Sequence, residues 1–147
     1  RKNLVTSILM NTELEEQLNI KLQKKYEEVE KNETEWEELF TDDAELIVVS
    51  YGIVSRITFS AVEMARKKGR KIGWFRLTTL FPFPKNRLMV LAEQKKSFMV
   101  IELSNGQMLD DVRLSVNGKA QILFYNRMGG AVPGVDEIFQ QLEKFFQ

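Results

Sequence analysis

A glutamate closes one of the chain's apolar runs: Glu102 follows Phe98-Met99-Val100-Ile101 and precedes Asn105-Gly106-Gln107. A carboxylate placed there can act as a base or orient a substrate, and the Asn and Gln amides can donate to a carbonyl or a phosphate. The sequence supplies it with no partner group, so catalysis by this chain alone is not expected. Asp110 and Asp111 read as acids of a helix's first turn rather than as metal ligands. Arg127-Met128-Gly129-Gly130 sets a planar donor fork beside two glycines that tolerate positive φ or close backbone approach. Two roles are open to it: a tight strand-to-loop turn, or a contact with an anionic group or a partner's carboxylate.

Two further stretches follow apolar runs. Gly52-Ile53-Val54-Ser55 leads into a helix whose N-terminal amides can hold an anion, aided by the helix dipole and Ser55. It lacks the glycine pattern of a dinucleotide fingerprint or a Walker loop, and Ser55 also reads as an ordinary helix cap. Phe81-Pro82-Phe83-Pro84 is stiff, because each proline fixes its own φ and restricts the residue before it. Its phenylalanines can anchor a partner or pack over their own core, and at least one is expected at an interface. The candidate contact residues are therefore Gly52, Ser55, Phe81, Phe83, Asn105, Gly106, Gln107, Arg127, Gly129 and Gly130. None is assigned to catalysis, to a cofactor or to a metal.

These stretches need a scaffold, and composition bounds it. At 147 residues with 44% hydrophobic and 29% charged residues, the chain is expected to form about one globular domain with a real core. It has no run approaching the roughly 18 apolar residues a membrane helix needs, and no signal peptide opens it. It begins at Arg1 rather than methionine, which suggests a fragment of a longer protein. Without cysteine or histidine it offers no disulfide, thiolate nucleophile, Cys/His zinc site or histidine triad. The absence of cysteine fits a cytoplasmic location. Residues 1–43 carry 6 Lys/Arg against 12 Asp/Glu, a net −6; residues 44–147 carry 15 against 9, a net +6. The basic residues are scattered with no aromatic–basic alternation, so neither nucleic acid nor membrane is an expected partner.

An N-terminal arm over residues 1–42 precedes an α/β domain over 43–147. Leu4 to Met10 is a short apolar run. Asn11 then caps a helix to about Lys31, with a narrow stripe of Leu14, Leu18, Leu22, Tyr26 and Val29. That helix either packs across its own domain or is a linker arm that docks on another. Glu33 to Phe40 reads as a second short helical stretch. Four strand–helix alternations follow: Leu46–Val49 then a helix from Val54 to Lys68, Ile72–Leu77 then Lys85–Gln94, Phe98–Leu103 then Met108–Val116, and Ile122–Tyr125 then a closing amphipathic helix. The closing helix carries Ile138, Leu142, Phe145 and Phe146. Such alternation signals right-handed βαβ units in a three-layer α/β/α fold. The four polar stretches then line the carboxyl edge of one sheet, where α/β proteins bind ligands and partners.

In combination these residues resemble a known family. The series from Ala44-Glu45-Leu46 to Tyr51-Gly52-Ile53-Val54-Ser55-Arg56 and the segment Arg76-Leu77-Thr78-Thr79-Leu80-Phe81-Pro82-Phe83-Pro84 carry the first part of the likeness. Glu102-Leu103-Ser104-Asn105-Gly106-Gln107-Met108 and Phe124-Tyr125-Asn126-Arg127-Met128-Gly129-Gly130 carry the second. Together they are similar to the C-terminal part of the α subunit of 2-oxoacid:ferredoxin oxidoreductases, nearest the 2-ketoisovalerate type and next the 2-oxoglutarate type. The arm from Leu14 to Glu27 is similar to that branch's interdomain segment.

The resemblance implies a transketolase C-terminal-like domain with a mostly parallel sheet. The four strands take the order 2-1-3-4, usually with one antiparallel edge strand, for which residues 4–10 are the only candidate. It also implies an enzyme that oxidatively decarboxylates a 2-oxoacid to an acyl-CoA and reduces ferredoxin. Thiamine diphosphate, magnesium and iron–sulfur clusters would be held outside this chain, by the other α domain and by the β, γ and δ subunits. This domain is then a scaffold and subunit interface. Two rivals remain at this point: a free-standing flavodoxin-like module holding a small anion at Gly52–Ser55, and an assembly domain pairing through Phe81, Phe83 and the final helix.

Overall fold

Leu46, Ile47, Val48 and Val49 are all fully buried, so the strand they form must be covered on both faces. The computed structural model describes residues 8–147. In chain order it contains α1 (Thr12–Asn32), β1 (Trp36–Leu39), β2 (Leu46–Tyr51), α2 (Gly52–Lys67) and β3 (Ile72–Leu77). Then come α3 (Lys85–Glu93), β4 (Ser97–Glu102), α4 (Gln107–Val116), β5 (Ile122–Asn126) and α5 (Val135–Lys144). One sheet runs β1-β3-β2-β4-β5. The four expected strands therefore lie in the expected order 2-1-3-4 and are mutually parallel, with an antiparallel strand added at one edge.

Alternation along the strands sorts side chains into two cores. Ile47, Val49, Phe75, Phe98 and Val100 face α3 and α4, meeting Leu88, Leu91, Leu109, Val112 and Val116. Leu46, Val48, Ile72, Met99 and Ile101 face α2 and α5, meeting Val54, Ala61, Ala65, Ile138 and Leu142. Residues i and i+2 of a strand share a face, which is why a run with no polar interruption feeds both layers. At about 25 cal/mol per Å² of apolar surface, burying a Phe75 or Leu88 side chain contributes about 2–3 kcal/mol before entropy is counted. The three-layer α/β/α architecture is as expected.

The antiparallel edge strand differs from expectation in its source. Glu33–Phe40 was expected to be helical, yet β1 lies here and pairs Trp36 with Leu77 and Leu39 with Trp74. Glutamates favour helix in isolation, but the open edge of β3 offers backbone hydrogen bonds that an eight-residue helix, marginal on its own, cannot match. Trp36 stacks on Phe75 with ring planes 5° apart and centroids at 6.3 Å. Glu38 reaches Arg87 with Nε 3.0 Å from both carboxylate oxygens. Of residues 4–10, those up to 7 lie outside the described residues, and Ile8–Met10 are in neither strand nor helix.

Asn11 caps α1 as expected, its Oδ1 accepting from the Leu14 amide at 3.0 Å. None of the helix's residues is buried. It meets the body through its C-terminal half, where Tyr26 meets Phe81 edge-on at 6.3 Å and Glu30 pairs with Lys85 at 3.6 Å. α1 is therefore not packed across its own domain: along its apolar stripe Leu14 and Tyr26 are exposed and Leu18, Leu22 and Val29 are half-buried.

Candidate functional site

Parallel strands deliver their following loops to one edge, and the four polar stretches all lie there, after β2, β3, β4 and β5. What each side chain does at that edge is set by its local chemistry.

Glu102 is wholly buried at the end of β4, and it serves the backbone. Its carboxylate accepts from the Gly106 amide and, at 2.9 Å, from the Met108 amide. Those are among the amides a helix's first turn leaves without a partner, so Glu102 caps α4 from within the sheet. The chain turns sharply at Gly106, whose φ of 106° suits glycine. Both oxygens are engaged by backbone, so the carboxylate anchors the start of α4. Asn105 is exposed and its amide donates to Gln107 Oε1 at 3.1 Å, closing a small turn above the cap.

The loops after β4 and β5 are joined. Asn126 Nδ2 donates to the Ser104 carbonyl at 2.7 Å, and the Arg127 amide donates to the Glu102 carbonyl at 3.2 Å. Arg127 does not stand free. Its Nε donates to Glu137 Oε1 at 2.7 Å, and the Tyr125 hydroxyl donates to that same oxygen. The Tyr125 hydrogen bond foremost, then Arg127, holds the Glu137 carboxyl below the usual carboxylate range. Burial, reinforced by Glu137, pushes the Tyr125 phenol up, and Glu137 does the same for the Arg127 guanidinium. The cluster ties β5 to the first turn of α5. Gly129 and Gly130 follow at φ 65° and 85°, in an exposed loop with Met128 and Val132 about half exposed.

The two phenylalanines part company. Phe83 is buried in the core beside Leu88, whereas Phe81 is 65% exposed and touches Tyr26 of α1. Thr79 Oγ1 donates to the Pro82 carbonyl at 2.8 Å and accepts from the Glu35 amide at 3.0 Å, pinning this loop to the end of the arm.

Ser55 corrects an expectation. α2 begins at Gly52, not Val54, with Tyr51 as its cap residue and no side-chain cap. Ser55 is fully buried inside the helix, its Oγ donating to the Gly52 carbonyl at 2.7 Å and its carbonyl accepting from Trp74 Nε1 at 3.0 Å. Packing of Trp74 against α2 draws Ser55 inward, so it neither caps the helix nor faces the rim. Gly52, at φ 61°, does reach the surface. There Gly52, Ile53, Arg56 and Arg76 border a cavity of about 340 Å³.

Arg76, Tyr125 and Glu137 belong to this edge and were missed from sequence. Arg76 carried a signal, as the one charge inside the apolar run Ile72–Leu77. Glu137 carried none, since ten residues and a glycine-rich loop separate it from Arg127. Among the described residues there is no group of three or more acidic side chains placed to hold a metal, and no helix long and apolar enough to cross a membrane.

Comparison with known proteins places residues 44–138 in the family described as pyruvate:ferredoxin oxidoreductase core domain II. The chain is 42% identical over 143 residues to the ketoisovalerate oxidoreductase subunit VorB of Methanothermobacter thermautotrophicus, covering 97% of this chain and 40% of that one. It is 35% identical over 103 residues to the 2-oxoglutarate synthase subunit KorA of Methanothermobacter marburgensis, covering 70% of this chain and 28% of that one. The chain thus spans about two-fifths of the length of its VorB relatives. In fold it is similar to the 2-oxoglutarate:ferredoxin oxidoreductase from Magnetococcus marinus, with a TM-score of 0.77 over 95% of this chain and 24% of that one, at 15% identity.

Proposed function

The chain belongs to the pyruvate:ferredoxin oxidoreductase core domain II family, and on that premise we propose that it is the non-catalytic C-terminal domain of the α subunit of a thiamine-diphosphate-dependent 2-oxoacid:ferredoxin oxidoreductase. Residues 43–147 form the domain and residues 1–42 its connecting arm. The whole enzyme would decarboxylate a 2-oxoacid, of the ketoisovalerate type, to an acyl-CoA and pass electrons to ferredoxin in the cytoplasm. The observation that carries this reading is the 42% identity to VorB across nearly the whole chain.

The residues present do not fit the cofactors of such an enzyme. A chain without cysteine has no thiolate for an iron–sulfur cluster. The rim carboxylates Glu102 and Glu137 are already engaged by backbone amides and by Tyr125 and Arg127 respectively. On this reading thiamine diphosphate, magnesium and the clusters lie with the other α domain and the β, γ and δ subunits. This chain's part is to hold a rigid edge. Glu102 fixes the loop after β4, the Tyr125–Glu137–Arg127 cluster fixes the loop after β5, and both present contacts to neighbours. Phe81, Met128 and Val132 supply exposed apolar surface along that edge. Gly52, Asn105, Gln107, Gly129 and Gly130 supply backbone and amide groups beside it, while Gly106 shapes the turn beneath them with its amide held by Glu102.

The reading is tested by mixing the purified chain with the remaining polypeptides of a ketoisovalerate oxidoreductase and measuring assembly by native mass spectrometry. Incorporation at one copy per α remainder is expected, together with no saturable thiamine diphosphate binding by the chain alone. Failure to assemble, or turnover of a 2-oxoacid by the chain alone, overturns it.

A further inference from the structure

Two guanidiniums border one cavity at the carboxyl end of β2 and β3, and no acidic side chain lines it. The cavity, about 340 Å³, is formed by Gly52, Ile53, Arg56 and Arg76. Arg56 is exposed, and its guanidinium makes no ion pair or hydrogen bond among the described residues. Arg76 Nε is buried without any acceptor, although a buried charged donor left unsatisfied is costly. The acceptor of its guanidinium, Glu37, stands 3.4 Å from Nη1 at both oxygens, a long contact to a carboxylate that is itself half exposed. At the same place the chain enters α2 through Gly52 at φ 61°, with no side chain capping the helix and no acid in its first turn.

We propose that this cavity binds a phosphate group, free or as the terminal group of an ester. A planar carboxylate is satisfied by one guanidinium fork, whereas a phosphate presents three terminal oxygens to donors of different direction. Arg56, the outer Nη2 of Arg76, which has no acceptor among the described residues, and the helix end opening at Gly52 are three such donors around one space. Ser55 plays no part, because it is buried and its hydroxyl is spent on the Gly52 carbonyl. The site belongs to this chain alone and stands whether or not the enzyme reading above is right.

The test is a titration of the 15N-labelled 147-residue chain with sodium phosphate, the ionic strength held constant with sodium chloride and acetate run in parallel. Saturable shifts are expected at the Gly52 and Ile53 amides and at the Nε–H signals of Arg56 and Arg76. Arg56→Gln should weaken binding about tenfold or more, the effect of losing one charge-assisted contact. It removes no partner, so the spectrum's dispersion should be unchanged. Arg76→Lys gives a second variant that keeps the charge near Glu37 while removing the guanidinium fork, and it too should weaken binding. Adenosine 3′-monophosphate binding more tightly than inorganic phosphate supports an ester; equal affinity supports free phosphate. Saturation by acetate with equal affinity, no saturation by either phosphate, or wild-type affinity in Arg56→Gln overturns the proposal.

Discussion

Replacing Glu102 by glutamine tests whether this carboxylate is an anchor of the rim or a group held ready for chemistry. In the wild type two carboxylate oxygens accept from two backbone amides, Gly106 and Met108, in a fully buried setting. Glutamine keeps one oxygen and turns an NH2 group toward the other amide, so one hydrogen bond is lost and two donors face each other. A hydrogen bond to a charged group contributes about 1.5–3 kcal/mol, and a buried amide left unpaired costs about 1–3 kcal/mol. The surviving bond also loses its charge. The expected destabilisation is about 2–4 kcal/mol, a large share of the roughly 5–15 kcal/mol total of a typical domain. Glu102→Leu leaves both amides unpaired and should cost at least as much.

The assay is urea unfolding followed by tryptophan fluorescence, with Trp36 on the edge strand and Trp74 in the core. The midpoint should fall while the slope m stays constant, because the surface exposed on unfolding is unchanged. Amide exchange at Gly106 and Met108 should quicken more than at Val100, which locates the loss in the cap. A Glu102→Gln variant within about 0.5 kcal/mol of wild type refutes the reasoning, since that is the range of an ordinary surface substitution. In a reconstituted enzyme the same variant should lose activity in proportion to lost assembly, and a catalytic defect in a fully assembled complex would refute it equally.

Phe83→Ala should cost about 3–5 kcal/mol of unfolding free energy, as expected for a core phenylalanine, while Phe81→Ala should cost under about 1 kcal/mol and act on assembly instead; urea melts of both variants separate the two. Gly73→Ala should destabilise by about 1–3 kcal/mol, because a Cβ there would stand 3.1 Å from the Phe40 carbonyl oxygen and 3.2 Å from the Thr41 Cα, backbone that cannot give way cheaply. Acid should weaken the fold: Asp43, Glu137 and Glu143 have carboxyl groups held below their ordinary values of 3.8, 4.5 and 4.5, by Arg66, by Tyr125 with Arg127, and by Arg70. A depressed folded pKa gives stability that is present above the unfolded value and lost as pH falls through the folded one. Thermal midpoints should therefore drop from about pH 4.5 downward, and Glu137→Gln should flatten that drop.

The parts of this molecule that could be read from sequence are those where one physical effect dominates. β2 and β4 are buried on both faces, so hydrophobic burial alone writes them as unbroken apolar runs, although β2 continues two residues past the expected Val49 and β4 runs from Ser97 to Glu102 rather than from Phe98 to Leu103. The sheet order did not come from those runs; it came from likeness to a family and the pairing agrees with it. β1 was illegible because its reasons lie elsewhere in the chain. Glu38 is held by Arg87, 49 residues away, and Glu37 lies beside Arg76, 39 residues away, and a four-residue segment centred on two helix-favouring glutamates carries no trace of them.

The rim divides in the same way. Topology dictated that the polar stretches share one edge, and they do. The direction of each side chain was decided by competition that local sequence does not express. Phe81 and Phe83 sit two residues apart on one stiff loop, yet one joins the core and the other stays in water. Ser55 was drawn inward by a tryptophan 19 residues on, and Arg127 was claimed by Glu137 before any ligand could claim it. The groups a rim keeps for itself are as informative as those it leaves open. Once Glu102, Arg127 and Ser55 are accounted for by their own chain, Arg56 and the Nε of Arg76 stand out as cationic donors without a sufficient partner, and Arg56 lay unremarked inside a stretch chosen for its glycine and serine.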